Sequence, residues 1–221
     1  MSLISLQFKQ RKIIKSYRSI TGHIPSIKNN KSIAFESKLE NTCFLTLEFD
    51  NDILSYQEQP QFEIIFNNRK STYSADCYIQ RPKGSKKRDA IIEVKYTTEI
   101  EKDKEYFERR FKAIEEATEK LDLDFIVFTE ETHPQQYIDN IHFLYRYRTQ
   151  DRESKYDEQI LNKLQNTTMK AKDLAQSISK SPIEYNVIAN AIWGLVASDI
   201  LSTDLYVKEL NMSSEVKVND E

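Results

Sequence analysis

The sequence predicts a mixed α/β domain followed by a small helical module. Short strand-like runs and amphipathic helical stretches alternate along residues 31–150, which is typical of one mixed α/β domain. Beyond the charged stretch 149–155, which is typical of a linker, only helical periodicity and one possible strand remain. We therefore divide the chain into a basic N-terminal arm at 1–30, an α/β domain at 31–150 and a winged-helix-like module at 151–221.

Apolar spacing and turn residues predict the individual elements. Ser32 is taken as the cap of a helix that runs through Phe35 to Leu47, with Glu36 at the border of its buried face. In the α/β domain the remaining predicted elements are strands at 53–57 and 62–66, the latter followed by a turn at Asn67-Asn68, then two strands around the loop 81–88, a helix at 102–120, a strand at 125–128 and a helix at 134–148. The strand at 125–128 is wholly apolar, so it is expected to be central and covered on both faces. In the module we predict helices at 157–165, at 169–178 and from the Ser181 capping box through Val196, with a wing strand within 200–207.

The stretch 73–96 carries the chemistry that the rest of the domain supports. Two strand-like runs, 73–79 and 89–96, flank a basic loop with the sequence RPKGSKKR. Because alternate side chains of a strand share a face, Glu93 and Lys95 point to one side and Val94 to the core. If the two runs pair as a hairpin, Asp76 comes near Glu93.

Two carboxylates beside an amine favour a site for a divalent metal. Mg²⁺ prefers oxygen ligands, and it promotes phosphodiester hydrolysis by lowering the pKa of bound water and by neutralising charge. We expect Asp76 and Glu93 to be ligands, with the Val94 carbonyl within reach and Glu36 as a further ligand. Lys95 would orient water or stabilise charge on the phosphate, and Mn²⁺ is expected to substitute for Mg²⁺. Taken singly, Asp76 is more typical of a surface acid at a strand end, and Glu93 with Lys95 is more typical of an ordinary ion pair; the metal site is favoured by their conjunction with Glu36.

The overall charge argues against nucleic-acid binding, but its distribution does not. The formal net charge is −3, yet no acid precedes Glu36. The candidate phosphate contacts are basic residues of the arm and of the loop 81–88: Lys9, Arg11, Lys12, Lys15, Arg18, Lys86, Lys87 and Arg88. A solvated basic tail and a solvated loop are the alternatives. The module at 151–221 is acidic, so we expect it to bind partner proteins and not DNA.

The composition is that of a globular cytoplasmic protein. The chain of 221 residues is long enough for one core and a small appendage. Two cysteines do not make a disulfide framework, and no apolar run approaches the roughly 20 residues that span a bilayer. A soluble protein of the bacterial cytosol is the expectation.

The motifs and their order resemble the PD-(D/E)xK nuclease superfamily, and within it TnsA, the endonuclease subunit of heteromeric transposases. The resemblance covers residues 30–150 and rests on Phe35-Glu36-Ser37, Gln59-Pro60, Tyr73-Ser74-Ala75-Asp76 and Ile92-Glu93-Val94-Lys95. Ala75 replaces the proline usual before the aspartate, and Glu93 stands where some TnsA proteins have glutamine. The resemblance implies a restriction-endonuclease-like core and places Glu36, Asp76, Glu93 and Lys95 in the catalytic set.

The resemblance also implies a function. A TnsA protein cuts the 5′ ends of a transposon in double-stranded DNA, while a DDE-type transposase (TnsB) cuts and joins the 3′ ends and an AAA+ regulator (TnsC) controls both. Two alternatives stay open at this point. One is a stand-alone nuclease of the same fold, such as a restriction or junction-resolving enzyme, and the other is a non-catalytic adaptor that bridges DNA and a partner.

Overall fold

The computed structural model describes residues 6–8, 20–150 and 154–219 of the chain. It divides the protein into two compact units, Met1–Thr132 and His133–Glu221. Within the described ranges, no helix combines the length and the apolar character that a membrane crossing requires.

The first unit contains three helices and nine strands among its described residues. In chain order they are β1 (Gln7–Phe8), β2 (Gly22–Ser26), β3 (Lys31–Phe35), α1 (Lys38–Phe49), β4 (Ser55–Glu58), β5 (Pro60–Phe66), β6 (Arg69–Ser74), β7 (Cys77–Gln80), β8 (Ala90–Val94), α2 (Thr97–Lys102), α3 (Lys104–Glu119) and β9 (Asp124–Phe128).

Three sheets organise this unit. A four-stranded sheet has the order β4-β7-β8-β9, a three-stranded sheet has the order β1-β5-β6, and β2 pairs with β3. All pairs are antiparallel except β8 with β9, which are parallel and are joined through α2 and α3. Asn67 and Asn68 both have positive φ angles (51° and 59°), the left-handed conformation that a two-residue turn between β5 and β6 requires.

The core of the unit lies between α3 and the sheets. Ile91 of the fully buried strand β8 packs in one cluster with Phe62 and Ile64 of β5 and with Ile114 and Ala117 of α3. The sequence correctly predicts that α3 turns its apolar positions inward. The mixed α/β class is thereby confirmed.

The beginning of the chain differs from the prediction in two places. Residues 31–35 form strand β3 instead of the first turn of a helix, and α1 is capped by Ser37, whose side chain accepts a hydrogen bond from the Glu40 amide. Residues 22–26, assigned to the arm, pair with β3 and bury Ile24 and Ser26. The hydroxyl of Ser26 donates to the buried Glu48 carboxylate of α1, so this hairpin belongs to the body of the unit.

Strand β9 is not the central, doubly covered strand that its apolar sequence predicts. It lies at the end of the four-stranded sheet, and most of its residues are partly exposed. The central position is held by β7 and β8, and β8 is the strand buried along its whole length. The wholly apolar run at 125–128 therefore belongs to β9, the parallel neighbour of the buried strand, and the buried strand itself is β8.

The described residues of the second unit form four helices and three short strands. They are α4 (Gln135–Thr149), α5 (Asp157–Leu164), β10 (Met169–Lys170), α6 (Ala171–Ile178), α7 (Pro182–Ala197), β11 (Leu201–Ser202) and β12 (Glu215–Val218). The Ser181 capping box is confirmed, since its hydroxyl accepts from the Glu184 amide and the Glu184 carboxylate accepts from the Lys180 amide. The strand expected within 200–207 is confined to β11, which pairs with β12. The winged-helix assignment stays a prediction.

The boundary between the units lies earlier than the sequence predicts. Helix α4, assigned to the α/β domain, packs with the later helices: Phe143 meets Trp193 edge to face, and Arg148 donates to the carbonyl of Ala197. The buried Asn140 side chain donates to the carbonyls of Leu205 and Lys208. The boundary after residue 150 was predicted from the charged stretch at 149–155. Three residues of this stretch, 151–153, lie outside the described ranges.

Candidate active site

Asp76 lies where the chain passes from one sheet to another. Strand β6 of the three-stranded sheet ends at Ser74, and β7 of the four-stranded sheet begins at Cys77. The neighbouring segment makes the same passage at Gln59, between β4 and β5. The Gln59 amide donates to the Asp76 carbonyl over 3.1 Å, and the Ala75 amide donates to the Pro60 carbonyl over 3.0 Å. Because both backbones are fixed here, the position of Asp76 is well defined.

The hairpin of β7 and β8 brings Glu93 and Lys95 to Asp76. Cys77 pairs with Ile92, so the residues before and after them, Asp76 and Glu93, lie side by side. The Lys95 Nζ is 3.0 Å from Glu93 Oε1 and 3.9 Å from Asp76 Oδ2. The predicted pairing of the two runs is confirmed for residues 77–79 with 90–92, whereas Tyr73 and Ser74 of the first run belong to β6 and pair with β5. The structure brings together three of the four residues assigned to the catalytic set.

Hydrogen bonds from neighbouring groups hold these side chains. Asp76 Oδ2 accepts from the Val94 amide over 2.6 Å, and Glu93 Oε2 accepts from the hydroxyl of Tyr73. The Val94 carbonyl accepts from Lys95 Nζ over 3.0 Å, so this oxygen also faces the cluster. The side chain of Glu93 is 7% exposed, whereas those of Asp76 and Lys95 are about a quarter exposed, which leaves the cluster open on one side.

Burial and the closeness of two acids determine the charges in the cluster. Burial, and then the charge of Glu93, raise the pKa of Asp76 to about 7, although Lys95 and the Val94 amide act in the opposite direction. Burial lowers the pKa of Lys95, but Glu93 and Asp76 outweigh it and the net direction is upward. Lys95 is therefore a cation at neutral pH, and Asp76 binds a proton more tightly than an ordinary aspartate.

Glu36 does not lie where the sequence places it. It precedes the helix instead of lying on it, and its Oε1 accepts from Gln59 Nε2 over 3.2 Å. The Glu36 amide donates to Glu40 Oε2 over 2.8 Å. The error arose because Ser32 was taken as the cap, which shifted the helix start by more than one turn from its true cap, Ser37.

Glu40 is the acid of this segment that acts on the cluster. Burial raises its pKa, the charge of Glu36 adds to this, and the charge of Lys95 lowers it. The charge of Glu40 in turn contributes to the raised pKa of Asp76. Sequence reasoning missed it, although Ser37-Lys38-Leu39-Glu40 before an apolar run is the pattern of a capping box and would have placed Glu40 in the first turn of α1.

The donor set fits a hard divalent cation in its chemistry, although the acids are not gathered as a finished ligand shell. Among the residues that the structure describes, no group of three or more histidine, cysteine, aspartate or glutamate side chains is arranged to hold a metal ion. Asp76 Oδ2 instead accepts from the Val94 amide, and the two Glu93 oxygens face Tyr73 and Lys95. Yet carboxylates are the ligands that Mg²⁺ prefers, and a cation between Asp76 and Glu93 would offset the repulsion that contributes to the raised pKa of Asp76.

The candidate DNA contacts fall into three groups. Lys9, Arg11, Lys12, Lys15 and Arg18 lie outside the described residues. Lys86 is exposed on the loop, and Lys87 pairs with Asp52 over 2.7 Å. Arg88 is held by three acids, Glu119, Asp122 and Asp124, so it fixes the loop to the body and is less suited to a phosphate. Contact with DNA through this loop stays a prediction.

Part of the chain matches a known protein family. Residues 50–130 match the family model described as "TnsA-like endonuclease N terminal". The matched range contains Asp76, Glu93 and Lys95 but begins after Glu36 and Glu40. No curated protein matches the chain. The match and the mixed sheets with flanking helices agree with a restriction-endonuclease-like α+β fold, as the sequence predicts.

Proposed function

We propose that the protein, whose residues 50–130 match a TnsA-like endonuclease domain, is the Mg²⁺-dependent DNA endonuclease subunit of a TnsA-type transposase. It hydrolyses the 5′-strand phosphodiester at transposon ends in the bacterial cytosol, together with a DDE-type transposase (TnsB) under an AAA+ regulator (TnsC). The observation that supports this most directly is the meeting of Asp76, Glu93 and Lys95 at the passage between two sheets.

Asp76, Glu93 and Glu40, with the Val94 carbonyl, are the groups that would hold the metal. Glu40 takes the place of Glu36 in this proposal because it lies in the first turn of α1, where its half-buried carboxylate is electrostatically coupled to Asp76 and Lys95, whereas the Glu36 carboxylate accepts from Gln59. When bound, Mg²⁺ supplies charge neutralisation and a water of lowered pKa. Mn²⁺, which has similar oxygen ligands, would substitute for it.

Lys95 stabilises negative charge on the phosphate through its protonated Nζ. Because the pKa of Lys95 is raised by the two acids, its ammonium stays charged at neutral pH and acts as a hydrogen-bond donor, not as a base. Tyr73 holds Glu93 in place: burial and the charge of Glu93 raise the pKa of the tyrosine, so its hydroxyl keeps its proton and donates. Asp76 is held by the Val94 amide, which leaves its second oxygen for a ligand.

Cleavage by defined variants tests the proposal. The full chain, assembled with its transposase on a duplex that carries a transposon end, is expected to cut the 5′ strand with Mg²⁺ or Mn²⁺. Asp76→Ala and Lys95→Ala should keep the fold and the complex but reduce cutting by at least about 100-fold, since each removes a group that acts on the phosphate or its metal. Lys104→Ala and Glu108→Ala are matched controls, because they remove an exposed ion pair of α3 that has no assigned role and should leave cutting unchanged. Cutting at the wild-type level by either cluster variant refutes the proposal.

A non-catalytic adaptor is the second candidate, and one observation favours it. Within the described residues the acids do not form a finished metal shell. Titration of the full chain with Mn²⁺ separates the two functions: an adaptor shows no binding that depends on Asp76 and Glu93. Micromolar binding by the wild type that is lost in Asp76→Ala contradicts the adaptor.

A further inference from the structure

A groove of the first unit lies beside the acidic cluster and shares Tyr73 with it. The groove has a volume of about 530 Å³ and is lined by residues of β5, β6 and α3. Its polar lining includes Arg69, Ser71, Thr72 and Arg110, and Tyr73 forms one wall. No residue of this lining is acidic, in a protein whose formal net charge is −3.

Strand geometry explains why the basic and hydroxyl groups meet here. Arg69, Ser71 and Tyr73 alternate along β6 and pair directly with Phe66, Ile64 and Phe62 of β5, so all six side chains lie on the same face of the sheet. Helix α3 packs against β5 on this side and contributes Arg110 to the same groove.

The guanidinium of Arg110 is held in a fixed orientation by aromatic rings. Its central carbon lies 5.0 Å from the ring centroid of Tyr73, 5.8 Å from that of Phe66 and 5.9 Å from that of Tyr106. One of its N–H groups donates to the Tyr106 hydroxyl over 3.2 Å. A guanidinium has five N–H donors, so most of those of Arg110 remain for a ligand.

Several cations of this unit are paired with acids, whereas the two arginines of the groove are not, within the described residues. Lys70, next to Arg69, pairs with Glu63 over 2.7 Å, and Lys87 and Arg88 pair with acids as described above. Across the part of the chain that the structure describes, neither Arg69 nor Arg110 has a carboxylate partner. Two unneutralised guanidinium groups in one groove favour an anion, and planar donors of this kind suit a phosphate.

Tyr73 connects this groove to the acidic cluster. Its ring faces Arg110, and its hydroxyl donates to Glu93. The carboxylates repel a DNA strand, so a strand that reaches them needs positive charge close by. On the basis of the function proposed above, we propose that Arg69 and Arg110 bind a backbone phosphate of the DNA strand next to the phosphate that is cut, with Ser71 as a further donor.

Salt dependence of DNA binding tests this site independently of cutting. Fluorescence anisotropy of the full chain with two labelled duplexes of unrelated sequence, in EDTA and at increasing NaCl, gives the slope of log K against log[salt]. Each lost phosphate contact lowers the magnitude of this slope by about 1. We expect that reduction for Arg69→Ala and for Arg110→Ala, about 2 for the double variant, and the same loss on both duplexes because phosphate contacts do not read sequence.

Arg109→Ala is the matched control. Arg109 lies on the same helix, one position earlier, is exposed and does not line the groove, so the same change of charge should leave the slope at the wild-type value. Arg69 is exposed near the end of a hairpin, so its variant keeps the test valid if loss of Arg110 disturbs the packing of α3. An unchanged slope for Arg69→Ala, an equal reduction for Arg109→Ala, or no salt-dependent binding by the wild type overturns the site. Lower slopes in a protein that never cuts DNA would support the groove and refute the endonuclease.

Discussion

The hydroxyl of Tyr73 donates a hydrogen bond to Oε2 of Glu93, although the two residues belong to different sheets. Tyr73 lies on β6 of the three-stranded sheet, and Glu93 lies on β8 of the four-stranded sheet. Both side chains are buried, so the bond joins the sheets at the point where the chain passes between them at Asp76. The carboxylate that faces Lys95 is thus positioned by a residue outside its own sheet.

Tyr73→Phe removes this donor and leaves the buried Glu93 oxygen without it. We expect a loss of roughly 1–2 kcal/mol in the free energy of unfolding, the usual cost of an unsatisfied buried acceptor. Cutting should fall by about tenfold, because Glu93 is no longer held in one orientation. Urea unfolding and the cleavage assay measure the two effects.

Tyr78→Phe is the matched control for this change. The Tyr78 hydroxyl donates to Asp89 Oδ2 over 2.6 Å, in the same domain but away from Glu93. It should lower stability without lowering the cutting rate of the folded protein. Equal loss of cutting in both variants would show that Tyr73 acts through stability alone.

Replacement of Glu40 by glutamine should weaken Mn²⁺ binding much more than the same replacement of Glu36. Glu40→Gln keeps an oxygen that can accept from the Glu36 amide, so α1 should keep its start while the cluster loses a charge. We expect Mn²⁺ affinity, measured by calorimetry, to fall by at least about tenfold. Glu36→Gln should change it by less than about threefold, since the Glu36 carboxylate contacts Gln59. A larger loss of Mn²⁺ affinity in Glu36→Gln than in Glu40→Gln would show that Glu36 is the metal ligand, as the sequence predicts.

The sequence was sufficient for the part of the site that depends on strand periodicity. Asp76, Glu93 and Lys95 follow from a period of two and one hairpin, and neither depends on distant contacts. Glu36 and Glu40 depend on where a helix begins, and two serines five residues apart could each serve as its cap. Pairing of residues 31–35 with 22–26 decided that choice, and this is a tertiary interaction that local spacing does not reveal.

The groove of Arg69 and Arg110 could not be predicted from the sequence for a similar reason. The two arginines are far apart in the chain and belong to a strand and a helix with no shared motif. The candidate phosphate contacts were chosen from runs of basic residues, but Arg88 proved to be neutralised by acids that follow it by more than thirty positions. Charge that is clustered in sequence is therefore a weaker guide than charge that lacks a partner in the fold.

Asp76→Asn should stabilise the metal-free protein as pH rises. The folded protein holds the Asp76 proton up to a pKa of about 7, whereas the unfolded chain releases it near the ordinary value of 3.8. The stability that this group contributes is full below pH 3.8 and is lost as pH rises through 7, and the neutral amide avoids that loss. We expect a gain of roughly 2 kcal/mol over the wild type at pH 8 and none at pH 4, discounted from the full linkage value because the side chain is a quarter exposed.

Urea unfolding in EDTA across this pH range measures the difference. Asp52→Asn is the control of opposite sign, since Lys87 lowers the pKa of that exposed acid and its removal should not stabilise the protein at high pH. Stability curves of Asp76→Asn and wild type that run parallel from pH 4 to pH 8 would contradict a raised pKa for Asp76. The same pKa predicts that Mn²⁺ affinity rises with pH up to about 7, because a carboxylate must lose its proton before it binds a metal.

The boundary at His133 predicts which C-terminal fragment folds. A fragment of residues 133–221 keeps α4, whose Asn140 accepts from the Leu210 amide in addition to donating to two carbonyls of the same loop. A fragment of residues 151–221 lacks α4 and exposes the faces of Trp193 and of the loop around Tyr206 that α4 covers. We expect cooperative thermal unfolding for the longer fragment and none for the shorter one, as measured by circular dichroism. Asn140→Leu in the longer fragment leaves these loop groups unpaired and should cost about 2–4 kcal/mol, whereas Asp139→Leu, one exposed position away, should cost little. Cooperative thermal unfolding of the 151–221 fragment would show that the domain boundary lies at the linker around residue 150, as the sequence predicts.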